Sequence, residues 1–144
     1  MSSEKRIVIR PDDVPTYESV TPDRRRFQLL CEADVTGSHD LAAGTVTLPP
    51  GQCQPGSATH PETEEIYYVL KGKGKISVGD DVYEVAEGTF LYIPLNTSHR
   101  IYNTDENEEL HIFWANTPRL GRFEGYKPLR DPGWRIVSPD GQSS

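Results

Sequence analysis

Four histidines are spread along this chain of 144 residues, at positions 39, 60, 99 and 111. His60 stands in the stretch ATHPETEEIYYVLKGKG (58–74), where Glu62, Glu64 and Glu65 follow it before an aromatic and aliphatic run begins. Imidazole nitrogens and carboxylate oxygens are donors for divalent metals: imidazole suits Fe, Zn, Ni and Cu, and carboxylate suits Mn. Glu65 carries the sharper signal, because it opens an apolar strand. An inward, unpaired carboxylate is costly there, so a metal, an arginine or a water cluster must compensate it. The plainer reading makes PETEE an acidic, solvent-facing turn and His60 one of its residues. Glu62 and Glu64 fit that turn best, although either carboxylate is close enough in sequence to substitute as a ligand. His39, in the loop TGSHD, is expected to be exposed.

The elements that must position these groups are short strands. FQLLCEA and LAAGTVTL come first, and PPGQCQPG is a turn-rich connection. In EIYYVLKGKGKISVGDDVYEVAEGTFLYIP the apolar residues are β-branched or aromatic, and GKG, GDD and EGT mark turns at close spacing. HRIYNT and LHIFWA complete a series of about eight strands, the pattern of a two-sheet sandwich or barrel. No segment sustains a helical period. We place an all-β domain over 1–117 and an irregular strap and tail over 118–144. The strap is expected to pack rather than stay disordered, because it carries Phe123, Tyr126 and Trp134.

Bulk chemistry removes several classes of function. The net charge of −7, from 15 basic and 22 acidic residues, disfavours nucleic acid and anionic membranes as partners. The run Arg24–Arg26 is the local exception; it reads as a solvated edge, with an anion contact as the alternative. No apolar run approaches the roughly 20 residues of a membrane span, and the N-terminus lacks the apolar core of a signal peptide. Cys31 and Cys53 form neither a metal pattern nor a disulfide framework, so free thiols and a cytoplasmic location are expected. GKGK at 72–75 lacks phosphate-loop spacing and falls in a hairpin.

Two motifs resemble those of the cupin superfamily, whose members are small jelly-roll barrels, also described as a double-stranded β-helix. In GTFLYIPLNTSHRIYN, Gly88, Pro94, His99 and Asn103 match the second motif. Asn96 replaces its glycine, a mild change because Asn tolerates left-handed turns. In the first motif Glu65 and Gly72 are in register and His60 matches the second histidine, while the first histidine falls on Ala58. The motifs and the strands between them cover about 51–103.

Strand alternation then places residues 58 and 60 on one face, Glu65, Tyr67 and Val69 on another, and His99, Ile101 and Asn103 on a third. If these faces line one barrel, His60, Glu65 and His99 converge as a two-histidine, one-carboxylate set, the pattern of non-haem Fe(II) sites. One divalent ion is expected, with Fe, Mn, Ni and Zn all open. Pocket candidates are Ala58, Tyr67, Ile101 and His111. The resemblance implies a metal-dependent enzyme acting on a small organic molecule, of dioxygenase, isomerase, lyase or cyclase type. The alternative is a metal-free or metal-assisted small-molecule binder or sensor without catalysis, favoured by Ala58. A homodimer is expected, because EIYYVL is apolar on both faces and small cupins commonly pair through a sheet.

Overall fold

The computed structural model describes residues 6–120 and 133–137, and these contain no α-helix. Ten strands run through them: β1 (Thr16–Ser19), β2 (Arg26–Cys31), β3 (Ala42–Leu48), β4 (Glu64–Lys71), β5 (Lys73–Val78), β6 (Asp81–Ala86), β7 (Phe90–Ile93), β8 (His99–Tyr102), β9 (Leu110–Thr117) and β10 (Trp134–Val137). They form a seven-stranded sheet in the order β10-β1-β2-β3-β9-β4-β7 and a three-stranded sheet in the order β6-β5-β8. Every named pairing is antiparallel. The result is the expected jelly roll.

Alternation along each strand decides what fills it. On β9, Leu110, Ile112 and Trp114 are buried, whereas His111, Phe113 and Ala115 face the other way and are only partly covered. On β4, Glu65, Tyr67 and Val69 are buried, while Tyr68 and Leu70 are exposed. The three-stranded sheet contributes Ile76, Val85 and Ile101 to the same core. Burying each such aliphatic or aromatic side chain contributes about 1.5–3 kcal/mol.

Gly72, the last residue of the first motif, turns the chain from β4 to β5 at φ +90. A Cβ there would lie 2.3 Å from the Glu109 carbonyl oxygen, so both backbone sign and close approach require glycine. Asn96, at φ 53, occupies the left-handed region that the family's glycine would fill.

Two strands escape the sequence pattern. β1 is only four residues long, and β10 lies in the segment expected to be an irregular strap; they pair with each other along the sheet margin. A buried carboxylate holds them together: Arg135 donates to Glu18 Oε1 at 2.6 Å and Arg26 to Oε2 at 3.3 Å. The solvated edge expected at 24–26 therefore holds for Arg24 alone. Arg26 neutralises Glu18, and Arg25 Nε lies 2.6 Å from the buried Asp23. Leu120 packs against the core; Phe123 and Tyr126 lie outside the described residues.

Candidate metal centre

His60, Glu65 and His99 come from three segments. Glu65 is near the start of β4 in the large sheet, and His99 begins β8 in the small one. His60 sits in the connection before β4. Its backbone is fixed by the second motif: the Asn96 N–H donates to the His60 carbonyl at 2.9 Å. Ala58 and His99 form an isolated antiparallel bridge, each N–H donating to the other's carbonyl at 2.9 Å. The two motifs are thus laced together by backbone bonds directly beneath the site.

One donor atom from each of the three residues lies within 4.8 Å of the others. His99 Nε2 is 3.2 Å from Glu65 Oε1, and His60 Nε2 is 3.9 Å from the same oxygen. Donors bound at about 2.0–2.2 Å to one ion stand roughly 3–4 Å apart; both distances to Glu65 Oε1 are in that range, so the three residues could hold a single divalent metal. Glu65 and His99 are buried and His60 is half-buried. The rings of His60 and His99 meet edge to face, 5.1 Å between centroids, and Tyr67 lies 6.0 Å from His99.

Hydrogen bonds fix the orientation of these groups. The Thr97 carbonyl, 3.1 Å from His99 Nδ1, can only accept, so Nδ1 carries a proton. That leaves Nε2 pointing at Glu65 Oε1, where a neutral imidazole would set a lone pair against a carboxylate. Only a proton or a cation on Nε2 resolves the contact. Burial alone would depress the His99 pKa, but the bonds to Glu65 and Thr97 and the charge of Glu65 outweigh it and raise it. For His60 burial dominates over the attraction of Glu65 and lowers the pKa, with His99 adding to the decrease. On the far side of the carboxylate, Asn116 Nδ2 donates to Glu65 Oε2 at 3.2 Å. Such an outer partner orients the carboxylate.

The site opens into a cavity of about 150 Å³, lined in part by Ala58, Tyr67 and Ile101 as well as the three candidate ligands. His111 is different. It projects from the outer face of β9 and lines a separate depression with Thr45, Thr47 and Gln28. The physical reason is parity: Trp114, whose indole needs the core, shares its face with residues 110 and 112, which turns 111 outward. Glu62 and Glu64 are exposed, and Glu64 instead accepts the Tyr92 hydroxyl at 2.5 Å. His39 is exposed as expected.

Asn103, the last residue of the second motif, lies away from the metal donors. Its Nδ2 is within 3.1 Å of the carbonyls of Leu48, Pro49 and Glu108, so it ties the ends of β3 and β8 to the turn before β9. Sequence reasoning missed Asn116, Arg25, Phe27 and Trp134 at the site. For Asn116 the signal existed, since continuing the 110-112-114 alternation by one step reaches it. The others belong to β1, β2 and β10 or their margins, whose pairing with the rest is nonlocal.

Comparison with known proteins agrees with this architecture. A family profile described as a cupin domain matches residues 44–116. An uncharacterized protein of Methanocaldococcus jannaschii is 43% identical over 59 residues, 41% of this chain and 46% of that protein. The chain thus spans less than half the length of this relative. Polyketide synthase CurC of Streptomyces cyaneus is 25% identical over 127 residues, covering 83% of this chain and 81% of its own. Among solved structures, a Thermotoga maritima protein described as a predicted oxalate decarboxylase superposes with TM-score 0.66 at 23% identity, over 77% of this chain and 98% of that one. Both motifs, the jelly-roll topology and the profile match over half the chain agree: this chain belongs to the cupin family.

Proposed function

We propose that the protein is a metal-dependent cupin that binds one divalent ion through His60, Glu65 and His99 and transforms a small organic molecule in the adjoining cavity. The observation that carries this reading is the facing pair His99 Nε2 and Glu65 Oε1, 3.2 Å apart, with the Nδ1 proton already committed to Thr97. A divalent ion bound there supplies a Lewis acid with open positions for substrate or O₂. The chain's own residues do the rest: Asn116 holds the carboxylate, Thr97 sets the imidazole tautomer, and the apolar wall limits water.

Metal titration tests the reading. Chelator-stripped protein should take up one ion per chain from among Fe, Mn, Ni and Zn, and failure to bind any of them sinks it. Residue 58 refines the test. Because Ala58 pairs directly with His99, their side chains share a face with Cβ atoms about 5 Å apart. Ala58→His should tighten metal binding roughly tenfold, the scale on which supporting groups shift affinity, while slowing turnover by filling an open position. Unchanged affinity would show that residue 58 does not reach the ion.

A homodimer is part of the same proposal. Row by row the outer face of the large sheet sets Phe113, Tyr68 and Phe90 side by side across β9, β4 and β7. Tyr68, Phe90 and Tyr92 are 42%, 57% and 50% exposed, a contiguous aromatic surface of the kind that protein partners cover. Sedimentation should give twice the chain mass of 16.2 kDa, and Phe90→Lys should shift the species to the monomer. A wild-type monomer at micromolar concentration would remove the dimer from the proposal.

A further inference from the structure

The cavity wall opposite the metal donors holds a cation that the metal reading does not use. Arg25 lines the cavity together with Phe27, Trp114 and Trp134. Its side chain is only 17% exposed, and its position is fixed on two sides. Nε donates to Asp23 at 2.6 Å, and the guanidinium lies over the Trp134 ring, 5.2 Å from the centroid. Asp23 is itself pinned: it accepts from Ser19 Oγ at 3.3 Å and from the Thr21 hydroxyl. A guanidinium has five N–H donors in a rigid fork, and Asp23 engages the one on Nε. The terminal nitrogens have no other hydrogen-bond partner among the described residues.

The body of the cavity is apolar and aromatic. Phe27 meets Trp114 at 5.0 Å between centroids and Trp134 edge-on at 5.7 Å. Its volume of about 150 Å³ matches the size of cavity that accepts a benzene-sized molecule. The unengaged edge of the buried Arg25 fork suits a carboxylate, and a divalent ion beside Glu65 would add to that attraction without being required for it.

We propose that Arg25 is the anion-recognising residue of this cavity, and that its ligand is a small organic monoanion with a planar apolar body. The carboxylate takes the free edge of the Arg25 fork, and the body lies against Phe27, Trp114 and Trp134 with its far end toward the metal donors. This assignment deepens the metal-dependent reading, but its recognition step needs no metal.

Benzoate and its neutral analogue benzamide are suitable probes. The chain's two tryptophans, Trp114 and Trp134, both line the cavity, so intrinsic fluorescence reports occupancy. Wild-type protein should bind benzoate about tenfold or more tightly than benzamide, both metal-stripped and zinc-loaded, as expected for a charge-assisted contact. Arg25→Met should weaken benzoate by about tenfold or more and benzamide, which offers only a neutral acceptor, much less. If loss of the partner of Asp23 unfolds that variant, Arg25→Lys keeps the charge without the fork and should still weaken benzoate severalfold. Equal affinity for the two probes, no binding of either, or benzoate affinity indifferent to Arg25 overturns the proposal. Zinc uptake, followed separately with a competing chelator dye, keeps the two readings apart. Loss of zinc binding with the benzoate preference intact refutes only the metal centre, and the reverse refutes only Arg25.

Discussion

His99→Ala should lower the affinity of the site for zinc by at least about 100-fold. Loss of an outer partner alone costs roughly 10–100-fold, and His99 would be a ligand rather than a support. The residue is 1% exposed, its Nδ1 is anchored on Thr97 and its Nε2 is aimed at Glu65, so no neighbouring side chain can take its place. His111, the nearest spare imidazole in sequence, points from the opposite face of β9. Calorimetric titration of wild-type and variant protein measures the difference directly. A circular dichroism melt of both metal-free forms separates loss of a ligand from loss of the fold. Retention of wild-type affinity by a folded variant would exclude His99 as a ligand.

The second large effect is on the scaffold. Gly44 lies in β3, flanked by Leu29 on β2 and Trp114 on β9. A Cβ added there would stand 2.0 Å from the Gln28 carbonyl oxygen and 2.8 Å from the Trp114 ring. Neither neighbour yields cheaply: one is backbone beside the irregularity in β2, and the other is a fully packed indole. Gly44→Ala should therefore cost about 3 kcal/mol or more, at the upper end of overpacking penalties. Urea unfolding gives the value from the shift in midpoint at constant slope. Because Trp114 also lines the cavity, the surviving folded fraction should bind cavity ligands more weakly. A neutral outcome would mean that β2 can move away without loss.

Much of this was legible in the sequence for physical reasons. Gly72, Gly88, Pro94 and His99 announce the fold because turns, positive backbone angles and strand starts leave local marks. The grouping of His60, Glu65 and His99 followed from the resemblance of the two motifs, with period-two alternation turning Glu65 inward with Tyr67 and Val69 and His99 with Ile101; His60 lies in a connection, where alternation does not reach. What stayed hidden was nonlocal. The parity of β9 depends on which face Trp114 must bury, so His111 looked as eligible as its neighbours until the sheet was assembled. β1 and β10 hold four residues each and find one another across more than a hundred positions of chain. Arg25 looked like a surface charge because neither the fold of Asp23 back onto it nor the Trp134 ring beneath it is written locally.

The placement of Glu65 on the seven-stranded sheet and His99 on the three-stranded one has a thermodynamic consequence. An ion shared by them, as proposed, would be a reversible crosslink between the two halves of the barrel. Occupancy and global unfolding are then linked functions. A hundredfold excess of free ion over its dissociation constant raises the unfolding free energy by about 2.7 kcal/mol, provided the unfolded chain does not bind it. If the centre binds metal as proposed, the order in which ions raise the melting temperature at equal concentration should follow the order of their affinities.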